Sequence, residues 1–226
     1  MILPATPRAL LAGLALGCVL VLSACRGAAP GGPNQAPAGT AVADEQTGAV
    51  ELQSYEFGGN FVLTDQQEQP FNLAKGRGRV HLLFFGFTMC PDVCPMTLSR
   101  IARAFGLLTP AERGDVVTLF VTVDADRDTP AVLEHHLRGF PVPVVGLSGT
   151  REQVDAVVSQ YHASYEITPS DSAAGPTVSH TTYLYLIDRD GRLRHLFRLA
   201  DTPEQIAAGL RLALQAGRMP ASAGSR

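Results

Sequence analysis

The sequence predicts one α/β domain: a mixed, largely parallel β-sheet with helices on both faces. Three observations carry this. Val80–Phe85 and Val116–Val123 are continuous apolar runs, the pattern of strands covered on both sides. Segments with apolar residues at helical spacing alternate with them. Near the end of the chain, Asp190-Gly191 sits between two further apolar segments and marks a hairpin.

Each element has its own local reason. Phe61–Thr64 and Pro70–Leu73 flank a polar turn, so a short hairpin opens the domain. After the Val80 strand, Met96, Ile101, Ala104, Phe105 and Leu108 fall on one helical face across 95–108. The Val116 strand leads to Thr129-Pro130, a helix start with proline in the first turn, and that helix runs to about Gly139. Val144–Leu147 is a third strand. Thr150-Arg151-Glu152-Gln153 is a capping box that opens the next helix. Residues 163–178 are polar and unperiodic and read as a surface loop inserted before the Tyr183–Ile187 strand. Arg194–Phe197 completes the hairpin, and the Thr202–Gln205 capping box starts a last helix that ends near Gly217. This order resembles the thioredoxin fold with an N-terminal hairpin added. No internal repeat and no second domain is visible, and residues 218–226 form a short tail.

The start of the chain reads as an address. Residues 9–24 carry no charge, follow Arg8 and are too few for a spanning helix, which needs about twenty. The run closes on Leu22-Ser23-Ala24-Cys25, which resembles the lipobox of bacterial lipoproteins. Residues 1–24 are therefore expected to be a signal peptide and Cys25 a lipidation site, with the rest of the chain outside the cytoplasm on a bacterial membrane. Cys18 lies inside the discarded run. Fifteen of residues 26–50 are Gly, Pro or Ala, too little apolar surface to offset ordering entropy. Residues 25–50 are expected to be a tether reaching roughly 25–30 Å, and 51–217 the folded domain.

Composition excludes several classes. Of 226 residues, 46% are hydrophobic and 17% charged, so the chain is not a disordered one. A net charge of −3 gives no basic surplus for nucleic acid, and the absence of tryptophan argues against stacking platforms. Four cysteines are too few for a disulfide scaffold.

Cys90 and Cys94 stand where the Val80 strand hands over to a helix, in Gly86-Phe87-Thr88-Met89-Cys90-Pro91-Asp92-Val93-Cys94-Pro95. Strand carboxyl ends are where open α/β sheets build sites. Helix N-termini favour thiolates, and four-residue spacing puts both sulfurs on one side of a helical turn. A disulfide here would close too short a loop to add much stability. Structural zinc needs four ligands, and the domain has no further cysteine. Cu(I) favours thiolates and accepts low coordination, so two sulfurs and one imidazole suffice for it. A redox dithiol remains a second reading, although thioredoxin-type sites have two residues between the cysteines rather than three. The peroxidatic pattern P-x-x-x-T-x-x-C is absent.

Of six histidines, His81, His135, His136, His162 and His195 sit in ordinary strand, helix or helix-end positions, His135 and His136 in a surface pattern. His180 differs, because it ends the inserted loop just before the Tyr183 strand. In the thioredoxin fold, the residue before that strand faces the active-site cysteines.

Three segments then resemble one family in matching order. Cys90-Pro91-Asp92-Val93-Cys94-Pro95 is similar to the C-P-x-x-C-P signature of Sco/SenC proteins. Val123–Pro130 is similar to their D-P-x-R-D-T-P segment, with Ala125 where proline is usual. Ser179–Asp188 resembles their ligand-histidine strand. The similarity covers about residues 55–215. It implies a membrane-tethered thioredoxin-fold copper protein that helps build the dinuclear copper centre of cytochrome c oxidase subunit II. It further implies Cys90, Cys94 and His180 as ligands for Cu(I) or Cu(II), with Asp124 near them in a modulating role or paired with Arg127. The expected function is a metallochaperone. The alternative is a thiol–disulfide reductase acting on the cysteines of that subunit or another exported protein.

Overall fold

The computed structural model describes residues 49–171 and 175–216. The expected signal peptide, Cys25, most of the tether and the tail lie outside the described residues.

The domain opens with β1 (Val62–Asp65) and β2 (Pro70–Asn72), an antiparallel hairpin. Asp65 Oδ1 shapes its turn by accepting from the backbone N–H of Gln67 and Gln69. β3 (Val80–Gly86) follows a short 3-10 turn, and all seven of its residues are buried. α1 (Val93–Gly106) buries Cys94, Leu98, Ile101 and Phe105, which recur at helical spacing along one stripe. α2 (Pro110–Gly114) is a single capped turn. β4 (Val116–Thr122), α3 (Pro130–Leu137), β5 (Val144–Ser148) and α4 (Arg151–Gln160) then alternate. The expected capping box is present at α4, where the Thr150 side chain accepts from Gln153 N–H and Gln153 returns the bond to Thr150 N–H.

β6 (Tyr165–Thr168) and β7 (Thr177–His180) come next, then β8 (Leu184–Ile187), β9 (Leu193–Phe197) and α5 (Pro203–Ala216). The seven-stranded sheet has the order β2-β1-β5-β4-β3-β8-β9. Only β3–β4 and β4–β5 are parallel; the other four pairings are antiparallel. The sheet is thus mixed as expected, but less parallel than strand–helix alternation suggested, because both edges are built from hairpins. α1, α3 and α5 pack on one face and α4 on the other, so two apolar layers sandwich the sheet.

The insertion before β8 is not a plain loop. β6 and β7 pair antiparallel as a two-stranded ribbon, with Tyr165 opposite His180. Its strands alternate half-buried and exposed residues. Each has four residues and few apolar ones, so the period-two signal is short. The polar, proline-containing connection between the strands hides it further.

Candidate metal centre

β3 runs between β4 and β8 and ends at the buried Gly86, which pairs with Thr122 of β4. The next residues turn over the top of the sheet into α1. Cys90 N–H donates to Phe87 O across this turn, at 3.3 Å. Cys94 lies in the first turn of α1 and is fully buried, whereas Cys90 is half-buried. The Cys94 backbone N–H donates to Cys90 Sγ at 3.4 Å, so the helix start itself orients the first sulfur.

His180 arrives from the far side of the sequence. Thr181 closes the base of the ribbon: its N–H donates to Ser164 O, and its Oγ1 accepts from Ser164 N–H, both at 2.9 Å. His180 Nδ1 lies 2.9 Å from Thr181 O. A carbonyl only accepts, so Nδ1 carries the proton and Nε2 presents a lone pair. That Nε2 is 3.7 Å from Cys94 Sγ. The edges of Phe84 and Phe87 wall the imidazole, with ring centroids at 5.9 and 5.8 Å.

Cys90 Sγ, Cys94 Sγ and a His180 nitrogen all lie within 4.8 Å of one another. Among the described residues this is the one such group of three His, Cys, Asp or Glu side chains. Two soft sulfurs and one imidazole can hold a soft ion at low coordination. Gly86 is what lets α1 come this close. A Cβ there would meet Cys94 Sγ at 2.9 Å and Phe120 at 2.8 Å.

Electrostatics add a correction. The helix N-terminus was expected to favour thiolates. Instead burial pushes the Cys94 thiol well above its ordinary value, with the Cys90 and Asp128 charges adding to it and a backbone bond at Phe87 opposing. Desolvation outweighs the helix end. Burial also lowers His180, so its imidazole is neutral at pH 7. The ion-free site therefore holds a protonated Cys94 and a neutral histidine, and a metal must displace the thiol proton.

Asp124, expected nearby, lies two residues past β4 as a buried carboxylate. Arg127 reaches one of its oxygens with two guanidinium nitrogens at 2.5 Å, and also approaches Pro176 O just ahead of β7. Asp124 is not among the three clustered ligand atoms. The carboxylate that does reach the cysteine turn is Asp128, which accepts from Thr88 N–H and the hydroxyls of Thr88 and Thr122. Sequence reasoning missed it. Its signal was an acid placed between a strand end and a helix cap. The other five histidines stay outside the group. His136 is not a surface residue, since its ring packs near Phe120 and Phe140.

The SCO1/SenC family profile matches residues 49–215. The chain belongs to the SCO1/SenC family. SenC of Rhodobacter capsulatus is 38% identical over 169 residues, which is 74% of this chain and 75% of that protein. A SCO2-like protein of Rickettsia felis is 33% identical over 152 residues, 67% of this chain and 74% of its own length. Bradyrhizobium japonicum ScoI, solved with copper bound, superimposes with a TM-score of 0.64 at 37% identity, covering 70% of this chain and 99% of that one. The ScoI structure shares the thioredoxin-like arrangement of the present sheet and helices.

Proposed function

We propose that this protein is a copper metallochaperone that holds the ion between Cys90 Sγ, Cys94 Sγ and His180 Nε2. The observation that carries the reading is the convergence of the two sulfurs and a His180 nitrogen within 4.8 Å, with Nε2 at 3.7 Å from Cys94 Sγ. A relative solved with copper bound supports it. SCO1/SenC proteins are associated with copper binding and cytochrome c oxidase assembly. We assign the dinuclear copper site of oxidase subunit II as the acceptor.

The chemistry follows from the donors. Cu(I) is satisfied by two thiolates, whereas Cu(II) prefers nitrogen and oxygen, so His180 matters more for the divalent ion. Release is ligand exchange: acceptor sulfurs replace Cys90 and Cys94 one at a time, and no electron moves. A membrane-held acceptor meets the protein at high effective concentration if Cys25 is acylated and residues 26–50 serve as a tether.

A reductase activity stays open on a specific observation: both cysteines are free and their sulfurs adjacent. Thiolate attack on an acceptor disulfide would leave a Cys90–Cys94 disulfide and an acceptor dithiol, and an external reductant would restore the pair.

Anaerobic Cu(I) titration of the reduced domain tests the reading. One copper per chain is expected, with loss of tight binding in Cys90→Ser and Cys94→Ser. His180→Ala should weaken Cu(II) more than Cu(I) and leave disulfide reduction intact. Wild-type stoichiometry and affinity in either cysteine variant would overturn the assignment.

A further inference from the structure

Asp128 has no exposed surface. Among the described residues no lysine or arginine pairs with it; its partners are three neutral donors. Thr88 Oγ1 donates at 2.5 Å, Thr88 N–H at 2.9 Å and Thr122 Oγ1 at 2.6 Å. Burying a carboxylate without a cation is costly, and a neutral acceptor would join these two segments more cheaply. The joined segments are the cysteine turn, through Thr88, and the end of β4, through Thr122. Thr88 stands two residues before Cys90, so the carboxylate is bonded directly to the turn that carries the first sulfur.

We propose that Asp128 determines which charge state of the ion the Cys90–Cys94–His180 group holds more tightly. Its fixed negative charge favours the divalent ion over the monovalent one, and its bonds to Thr88 keep that charge at a constant distance from the sulfurs. The inference rests on the copper reading above. Two thiolates and a neutral imidazole sum to −2, so the group is −1 with Cu(I) and neutral with Cu(II). A nearby buried anion opposes the first state and not the second. In general, one unit of charge acting across ~10 Å at an effective dielectric near 20 changes relative affinity on the order of tenfold.

The test compares Cu(I) and Cu(II) affinities of the wild type, Asp128→Asn, Thr88→Val and Thr122→Val. Asp128→Asn should shift the Cu(II)-to-Cu(I) affinity ratio about tenfold toward Cu(I), equivalent to a rise of about 59 mV in the midpoint potential. Thr88→Val keeps the charge but removes a donor that disperses it and a tie that positions it, so both affinities should fall and the ratio should not move toward Cu(I). Thr122→Val removes a donor that disperses the charge, so its ratio should move toward Cu(II). An Asp128→Asn protein with both affinities lowered and the ratio unchanged would show a purely structural carboxylate and overturn the proposal. If that variant does not fold, Thr122→Val decides: a ratio that stays put or moves toward Cu(I) overturns it. Failure of the wild type to bind copper removes the parent reading, which separates the two failures.

Discussion

Replacing Gly86 with alanine perturbs the centre without touching a ligand. The added Cβ would stand 2.9 Å from Cys94 Sγ and 2.8 Å from Phe120 Cε2. Comfortable separations are about 3.5–4.0 Å, so these atoms must retreat by roughly 0.6–1.2 Å. Phe120 is fully buried in the layer that holds α1 and cannot swing out. Overpacking of this kind costs about 1–3 kcal/mol. The strain falls where α1 meets β3, so the relief route moves Cys94 relative to His180, which stands 3.7 Å from it. Two assays read this: thermal unfolding of the copper-free protein, and Cu(I) affinity by competition with a chelator. The expected result is a lower melting temperature together with weaker copper binding, while Cys90→Ser alone weakens binding without the loss of stability. A Gly86→Ala protein with unchanged melting and unchanged affinity would refute the close-approach argument.

Three further outcomes follow from the geometry. Cys94 is protonated before metal binding, so copper affinity should rise about tenfold per pH unit for each proton released; a flat profile between pH 6 and 8 would contradict the raised thiol. His81 is buried, with its Nδ1 unpartnered, and desolvation lowers it to about 4 from an ordinary 6.5. The unfolded chain takes up this proton first, so stability is full above pH 6.5 and should fall by about 3 kcal/mol by pH 4, as seen by denaturant titration; His81→Gln should flatten that slope. Asp124→Asn removes the charge that two Arg127 nitrogens share and should cost about 1–3 kcal/mol by chemical unfolding while leaving one copper per chain; loss of copper from this variant would make Asp124 part of the binding group itself.

Local signals were legible wherever the physics is local. The apolar run at Val80–Phe85 became the fully buried β3, and Thr150–Gln153 formed its capping box as written. Asp188–Gly191 made the expected hairpin turn, with Asp188 Oδ1 accepting from Asp190 and Arg192 N–H and Gly191 at a φ of +82°. The β6–β7 ribbon was not legible, since four-residue strands with one or two apolar residues scarcely rise above a polar background. Nor did periodicity bring His180 to Cys94, 86 residues away; resemblance to the thioredoxin fold and then to the family supplied that link. Thr109–Glu112 carries a capping box as clear as the others, yet the helix it starts is only five residues long. The protonation of Cys94 was misjudged because a helix start can be seen in a sequence, whereas the depth at which the fold buries it cannot. Asp128 escaped for a related reason: its partners, Thr88 and Thr122, meet it only after β3 and β4 pair.

X-ray absorption at the copper edge of the loaded protein tests the central claim most directly. The wild type should show two sulfur scatterers and one imidazole nitrogen around each copper, and His180→Ala should lose the nitrogen while keeping both sulfurs. Identical spectra for the two proteins, or a copper environment with fewer than two sulfurs in the wild type, would contradict it.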